Sequence, residues 1–158
     1  MSISKVLVSA VFALGLALGS VGAGVAAEPH SHGDAAAVQL RFDNGKKWQT
    51  DDALRHGMGE IRQAMAASLA PIHENTFSAA KYEALAANIL KHVDYVVGNC
   101  KLPEEADQQL HVVLEQILDG INEMKRSSQR QQGAIKIVNA LDTYGQYFDH
   151  VDWTSLAH

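Results

Sequence analysis

The sequence is poor in cysteine, proline and aromatic residues, and each shortage excludes a class of protein. Its 158 residues include one Cys, three Pro and only 6% aromatic residues. A single Cys cannot form an internal disulfide, so the chain is not a small scaffold held together by disulfides. Hydrophobic residues make up 47% of the chain, which excludes a disordered or collagen-like protein.

Positive charge and catalytic signatures are also scarce. Thirteen Lys and Arg stand against eighteen Asp and Glu, which gives a formal net charge of −5. Without a basic cluster we expect no nucleic-acid partner. The chain contains no His-Glu-x-x-His, nucleophile elbow or phosphate loop, so we predict that it is not an enzyme.

The first residues have the three parts of a secretory signal peptide. Residues 1–5 carry a positive charge, residues 6–18 form an apolar run, and residues 25–27 are small residues suited to cleavage. The apolar run is too short to span a membrane comfortably. We therefore predict a signal peptide at residues 1–27, export to the periplasm, and no membrane association after cleavage.

The rest of the chain divides into a linker, a helical region and a tail. Residues 28–47 show no sustained hydrophobic period and are predicted to be a linker. From residue 48 to residue 153 a helical period occurs four times, and residues 154–158 are predicted to be a tail. The first helix is predicted over residues 50–69, capped by Thr50 and stopped by Pro71. The others are predicted over residues 77–99, from residue 103 to residue 126, and after Ser128, which pairs with Gln131 as a capping box.

Each predicted helix carries one apolar stripe, and no strand of any length competes with this pattern. Four amphipathic helices with short connections predict an all-α fold, an antiparallel up-down-up-down four-helix bundle. The clearest stripes contain Leu54, Met58, Ile61, Met65 and Leu69 in the first helix, and Leu110, Val113, Ile117, Ile121 and Met124 in the third.

In such a bundle, potential metal ligands from all four helices fall at one end. All eight His of the sequence follow the predicted signal peptide. Met58, Cys100, His111 and His150 supply thioether, thiolate and imidazole groups, which together suit copper first and zinc next. Asp107 lies one turn before His111 and can accept a hydrogen bond from its second ring nitrogen. We therefore predict a periplasmic copper-binding protein that acts as a carrier, buffer or sensor.

Each of these residues also has an ordinary structural explanation. Met58 lies on an apolar stripe, where Met commonly fills a core. Cys100 can be a small buried hydrophobe, or it can join two copies in a disulfide-linked homodimer. His111 can be a boundary residue paired with Asp107, and the role of His150 depends on how the chain turns after the last helix. A structural or interaction bundle without a cofactor is therefore a separate hypothesis.

An exported four-helix bundle with a Met early in its first helix and a His at the end of its fourth resembles the periplasmic cytochromes of the b-type and c′ class. The resemblance covers residues 48–153. It implies a non-covalent b-type haem held by Met58 and His150, and a role in electron transfer. The c′ members attach haem through Cys-x-x-Cys-His, which this sequence lacks, so covalent haem is excluded.

The chain is also similar to haem-free, uncharacterised exported proteins of proteobacteria. That similarity lies at Gly57 and Met58, at residues 99–102 and at residues 148–150. It implies no activity.

Overall fold

The computed structural model describes residues 39–156, and four α-helices make up most of that part. They are α1 (Asp52–His73), α2 (Ala79–Asn99), α3 (Glu104–Met124) and α4 (Arg130–Tyr147). Two short strands, β1 (Trp48–Gln49) and β2 (Phe148–Asp149), flank the helices. The prediction of a helical fold with four helices is confirmed, whereas the sequence predicted no strands. The predicted signal peptide and the first part of the predicted linker lie outside the described residues.

The cap of α1 differs from the predicted one. Asp51, and not Thr50, caps the helix, because its carboxylate accepts a hydrogen bond from the Leu54 N–H at 2.7 Å. The Thr50 hydroxyl donates instead to the Asp149 carbonyl at 2.6 Å. This hydrogen bond joins the segment before α1 to the segment after α4.

Two further predicted helix ends are wrong. Pro71 does not stop α1, which continues for two more residues because a proline in the last turn removes only one hydrogen bond. The Pro71 carbonyl still accepts from the Phe77 N–H at 3.1 Å. The start of α4 also differs from the predicted one. The helix begins after Gln129 with no side-chain cap, so the predicted pairing of Ser128 with Gln131 does not cap it.

The apolar stripes of all four helices meet in one core. α1 packs most extensively on α2, and α3 packs most extensively on α4. The stripes predicted for α1 and α3 are buried, except that Leu69 is half-buried. Among the described residues, no helix is long and apolar enough to cross a membrane.

The packed unit is wider than the predicted range of residues 48–153. From the predicted linker, Leu40 packs against the core, and the ring of Phe42 stacks on Tyr147 with 4.7 Å between centroids. The Arg41 N–H donates to the Gln109 side chain at 2.8 Å, and from the predicted tail Leu156 is buried. Apolar side chains in these flanking segments therefore hold them on the helices.

The two strands join the chain before α1 to the chain after α4. They are parallel, with Trp48 opposite Phe148 and Gln49 opposite Asp149. Both apolar members of this ladder are buried. The pairing fixes where the chain emerges from α4, and so it decides where the next residue, His150, lies.

Candidate functional site

Cys100 and His111 line one groove between the end of α2 and the first half of α3. Cys100 ends α2, and its N–H donates to the Val96 carbonyl at 2.9 Å. The groove has a volume of about 170 Å³. Its remaining lining consists of Val96, Val97, Asp107, Leu110 and Leu114. The fold thus brings two of the four predicted ligands to a shared surface.

The ring of His111 is exposed but is held at one nitrogen. Its side chain is 63% exposed. Its Nδ1 lies 2.8 Å from the Asp107 carbonyl oxygen and 3.4 Å from an Asp107 carboxylate oxygen. Partners of this kind fix the orientation of a metal-binding imidazole, and they leave Nε2 as the nitrogen that can bind a metal ion.

Cys100 is a free, half-buried thiol in an unfavourable setting for ionisation. Burial first, and then the carboxylates of Asp51 and Asp107, raise the pKa of Cys100 from 9.0 to about 11. The thiol therefore keeps its proton at neutral pH. A metal ion that binds here must displace that proton, so binding will strengthen as pH rises.

Met58 belongs to the core and not to the groove. Its side chain has no exposed surface, in a helix whose buried residues include Leu54 and Ile61. The preceding residue, Gly57, lies so close to α2 that an added Cβ would stand 2.3 Å from the Val96 side chain. Met58 is thus packed where the two helices are close, and it does not line the groove with Cys100.

His150 also lies outside the groove and has its own partners. Its Nδ1 is 3.0 Å from the Tyr144 hydroxyl, and its ring centroid is 4.9 Å from that of Trp153. Burial lowers the pKa of His150, and the guanidinium of Arg55 lowers it further. His150 is therefore a neutral, hydrogen-bonded residue of an aromatic cluster.

The residues that organise this cluster include two that the sequence reasoning missed. Arg55 donates to the Thr50 carbonyl, and Arg62 donates to the Thr154 carbonyl and lies 5.9 Å from the Trp153 ring centroid. The two Arg are seven residues apart in α1. That spacing puts them on one face of a helix and was the available signal.

Met58 does not fit as an axial ligand of a haem in this arrangement. Its side chain is enclosed by the core. Two large side chains, Tyr144 and Phe148, are fully buried and stacked at 5.2 Å, so they fill the end of the bundle where a porphyrin would need room.

The ligand set offered by the groove is small. Within residues 39–156, no three side chains of His, Cys, Asp or Glu come together as a metal-binding group. The groove therefore offers Cys100 and His111 as ligands, and Asp107 as the residue that positions His111. Two protein ligands leave coordination positions for water or for groups of another molecule.

The comparisons with known proteins add no assignment. No protein-family model matches the chain. No curated protein matches its sequence, and no solved structure matches its fold. The cytochrome resemblance therefore stays a hypothesis.

Proposed function

We propose that this chain is a periplasmic protein that binds a transition-metal ion, copper above all, in the groove between α2 and α3. It would act as a carrier, buffer or sensor and not as an enzyme. The observation that carries the proposal is the shared groove of Cys100 and His111, with Asp107 holding the His111 ring. The apolar run at residues 6–18 and the small residues at 25–27 support export.

The chemistry of the two ligands favours copper over harder ions. A thiolate is a soft ligand that selects Cu(I) or zinc, and imidazole suits both copper and zinc. A site with only two protein ligands holds its ion through few bonds. Such a site suits an ion that is passed on, and this favours a carrier or buffer over a permanent structural site.

The helix arrangement that we propose for this function is up-down-up-down. Asp51 at the start of α1 accepts a hydrogen bond at 2.6 Å from the N–H of Lys101, which follows α2. Gly120 near the end of α3 approaches Gly133 near the start of α4. Both contacts are expected when consecutive helices run in opposite directions.

A copper titration of the purified chain tests the proposal. Cu(I) is added under anaerobic conditions in competition with a chelator, and the affinity is compared between the wild type and variants. Cys100→Ser and His111→Ala should each weaken binding strongly. The matched control is His73→Ala. It removes an exposed His at the C-terminal end of α1, outside the groove, and should leave the copper affinity unchanged.

Two further variants separate this proposal from the haem hypothesis. Met58→Leu and His150→Gln should leave the copper affinity unchanged, because neither residue lines the groove. Unchanged affinity in Cys100→Ser and His111→Ala would show that the groove is not the site. A sharp Soret band with added haemin, lost in Met58→Leu, would support a b-type haem protein instead.

The hypothesis of a bundle without a cofactor has its own readout. Electrophoresis without a reducing agent detects a disulfide between two copies through Cys100. A covalent dimer in the wild type, together with no measurable copper binding, would support that hypothesis over metal binding.

A further inference from the structure

The chain after β2 turns back over one end of the helices. We call residues 150–156 the cap segment. Its Trp153 lies over Gly145 of α4, where an added Cβ would come within 2.3 Å of the indole nitrogen. Arg62 of α1 donates to both the carbonyl and the hydroxyl of Thr154, and Leu156 is buried. The cap segment therefore covers the aromatic end of the core.

One hydrogen bond links the cap segment to a fully buried side chain. Nδ1 of His150 lies 3.0 Å from the hydroxyl of Tyr144, which has no exposed surface. Burial raises the pKa of Tyr144 far above its ordinary value, so the hydroxyl keeps its proton. The hydroxyl can therefore donate to Nδ1, and it can do so only while the imidazole of His150 is neutral.

Of the charged groups around this hydrogen bond, the Arg55 guanidinium is the one that opposes a positive charge on His150. The Arg55 guanidinium of α1 acts on both His150 and Tyr144. The carboxylate of Asp51 and the thiol of Cys100 act on the Tyr144 side of the pair. On β2, the carboxylate of Asp149 is exposed and accepts from the Gln49 side chain.

Two features of the cap segment raise the free energy of its closed position on the helices. The indole N–H of Trp153 is buried and has no hydrogen-bond partner among the described residues, which costs free energy in the closed state. The turn from His150 to Trp153 places Asp152 at a φ of 62°, a left-handed conformation that few residues adopt. The closed segment is therefore held against an opposing cost.

We propose that the cap segment is a pH-sensitive clasp, closed while neutral His150 accepts from Tyr144 and opened when His150 is protonated. A proton on Nδ1 leaves the buried Tyr144 hydroxyl without its acceptor. It also places a half-buried cation beside Arg55. Opening moves both His150 and the unsatisfied Trp153 N–H into water, while the four helices stay folded.

The direction of the pH effect follows from the lowered pKa of His150. A His whose folded pKa is depressed binds its proton more readily once it is released. The clasp therefore has its full stability above the ordinary His pKa of about 6.5 and loses it as pH falls below that value.

Fluorine NMR of the full, metal-free chain tests the clasp. The sequence has two Trp, so 5-fluorotryptophan labelling gives one resonance for Trp48 and one for Trp153. Trp153→Phe assigns the second. Between about pH 7.5 and about pH 4.5 the Trp153 resonance should shift toward that of a solvent-exposed Trp, with a midpoint below about 6.5. The Trp48 resonance and the far-ultraviolet circular dichroism should stay unchanged.

Two variants tie the transition to the hydrogen bond. His150→Gln keeps a neutral acceptor and should abolish the shift, while the exposed-His control His56→Gln should retain it. Tyr144→Phe removes the donor that favours neutral His150, so the midpoint should move up. A shift that persists in His150→Gln overturns the proposal, as does a Trp153 resonance that stays fixed throughout. Loss of helix in the same pH range as the shift overturns it as well, because the event would then be global unfolding.

Discussion

Gly133 of α4 lies directly against Gly120 of α3. A Cβ built on Gly133 would stand 2.5 Å from the Gly120 carbonyl oxygen, and one built on Gly120 would stand 2.7 Å from the Gly133 carbonyl oxygen. Real side chains do not approach backbone atoms so closely, so the two helices can pack at this distance only with Gly at both positions. This contact sets the spacing of α3 and α4.

The first prediction concerns that contact. Gly133→Ala should lower the free energy of unfolding by about 1–3 kcal/mol, because the added methyl group forces the two helices apart. The measurement is urea unfolding followed by circular dichroism. Gly59→Ala is the matched control, since nothing lies within 4 Å of a Cβ at Gly59 in α1. It should raise stability by roughly 0.5–1 kcal/mol, as expected for a helix interior. Equal effects of the two substitutions would contradict the packing argument.

The second prediction separates a core Met from a ligand Met. Met58→Ala should lower the free energy of unfolding by about 2–5 kcal/mol, because Met58 is fully buried and the change leaves a cavity. Met58→Leu keeps the volume and should cost less than about 1.5 kcal/mol. Thermal unfolding without metal measures both. An equal loss of stability in Met58→Leu and Met58→Ala would show that Met58 does not stabilise the fold through its side-chain volume.

The third prediction concerns Asp51, whose carboxylate serves two segments at once. One oxygen accepts from the Leu54 N–H and the other from the Lys101 N–H. Asp51→Ala should destabilise the protein by about 0.5–2 kcal/mol through the lost cap alone, and further through the lost link to Lys101. Asp94→Ala, an exposed position in the interior of α2, should change stability by no more than about 0.5 kcal/mol. A loss no larger at Asp51 than at Asp94 would show that the cap carries no stability.

The fourth prediction follows from the raised pKa of Cys100, which burial and the carboxylates of Asp51 and Asp107 bring to about 11. Alkylation requires the thiolate, so iodoacetamide should modify Cys100 in the folded chain far more slowly than in the urea-unfolded chain near about pH 8. The folded-state rate should rise until pH approaches about 11.

The sign of the linked stability effect is also fixed. A thiol whose folded pKa is raised stabilises the fold below its ordinary pKa of 9.0, and that contribution is lost as pH rises toward about 11.

The alkylation rate of Cys100 is measured by mass spectrometry of samples quenched at timed intervals. Asp107→Asn should increase the folded-state rate at neutral pH. Equal rates in the folded and unfolded chains would contradict a buried, carboxylate-flanked thiol.

The helices were predictable because their signal is local. An apolar residue every three or four positions, such as Leu54, Met58 and Ile61, marks a helix face whatever the rest of the chain does. The helix ends were less predictable, because Thr50 and Asp51 are both chemically able to cap a helix. The choice depends on β2, whose Asp149 carbonyl accepts from the Thr50 hydroxyl.

The candidate site was predictable only in part. The spacing of Asp107 and His111 is a helical turn, and the contact between them follows from that spacing. The position of His150 did not follow from any local period, because it lies beyond the end of α4. The pairing of Trp48 with Phe148, one hundred residues apart, directs the chain there toward Tyr144 and Trp153.

The sequence by itself thus determined that four amphipathic helices form and which of their faces are apolar, because hydrophobic periodicity and helix propensity act over a few residues. Only the tertiary structure decided which candidate ligands share a surface. Cys100 and His111 line one groove, while Met58 is enclosed in the core and His150 accepts a hydrogen bond from Tyr144. The physical reason is that close packing assigns each side chain its neighbours across helices, and those neighbours are distant in sequence.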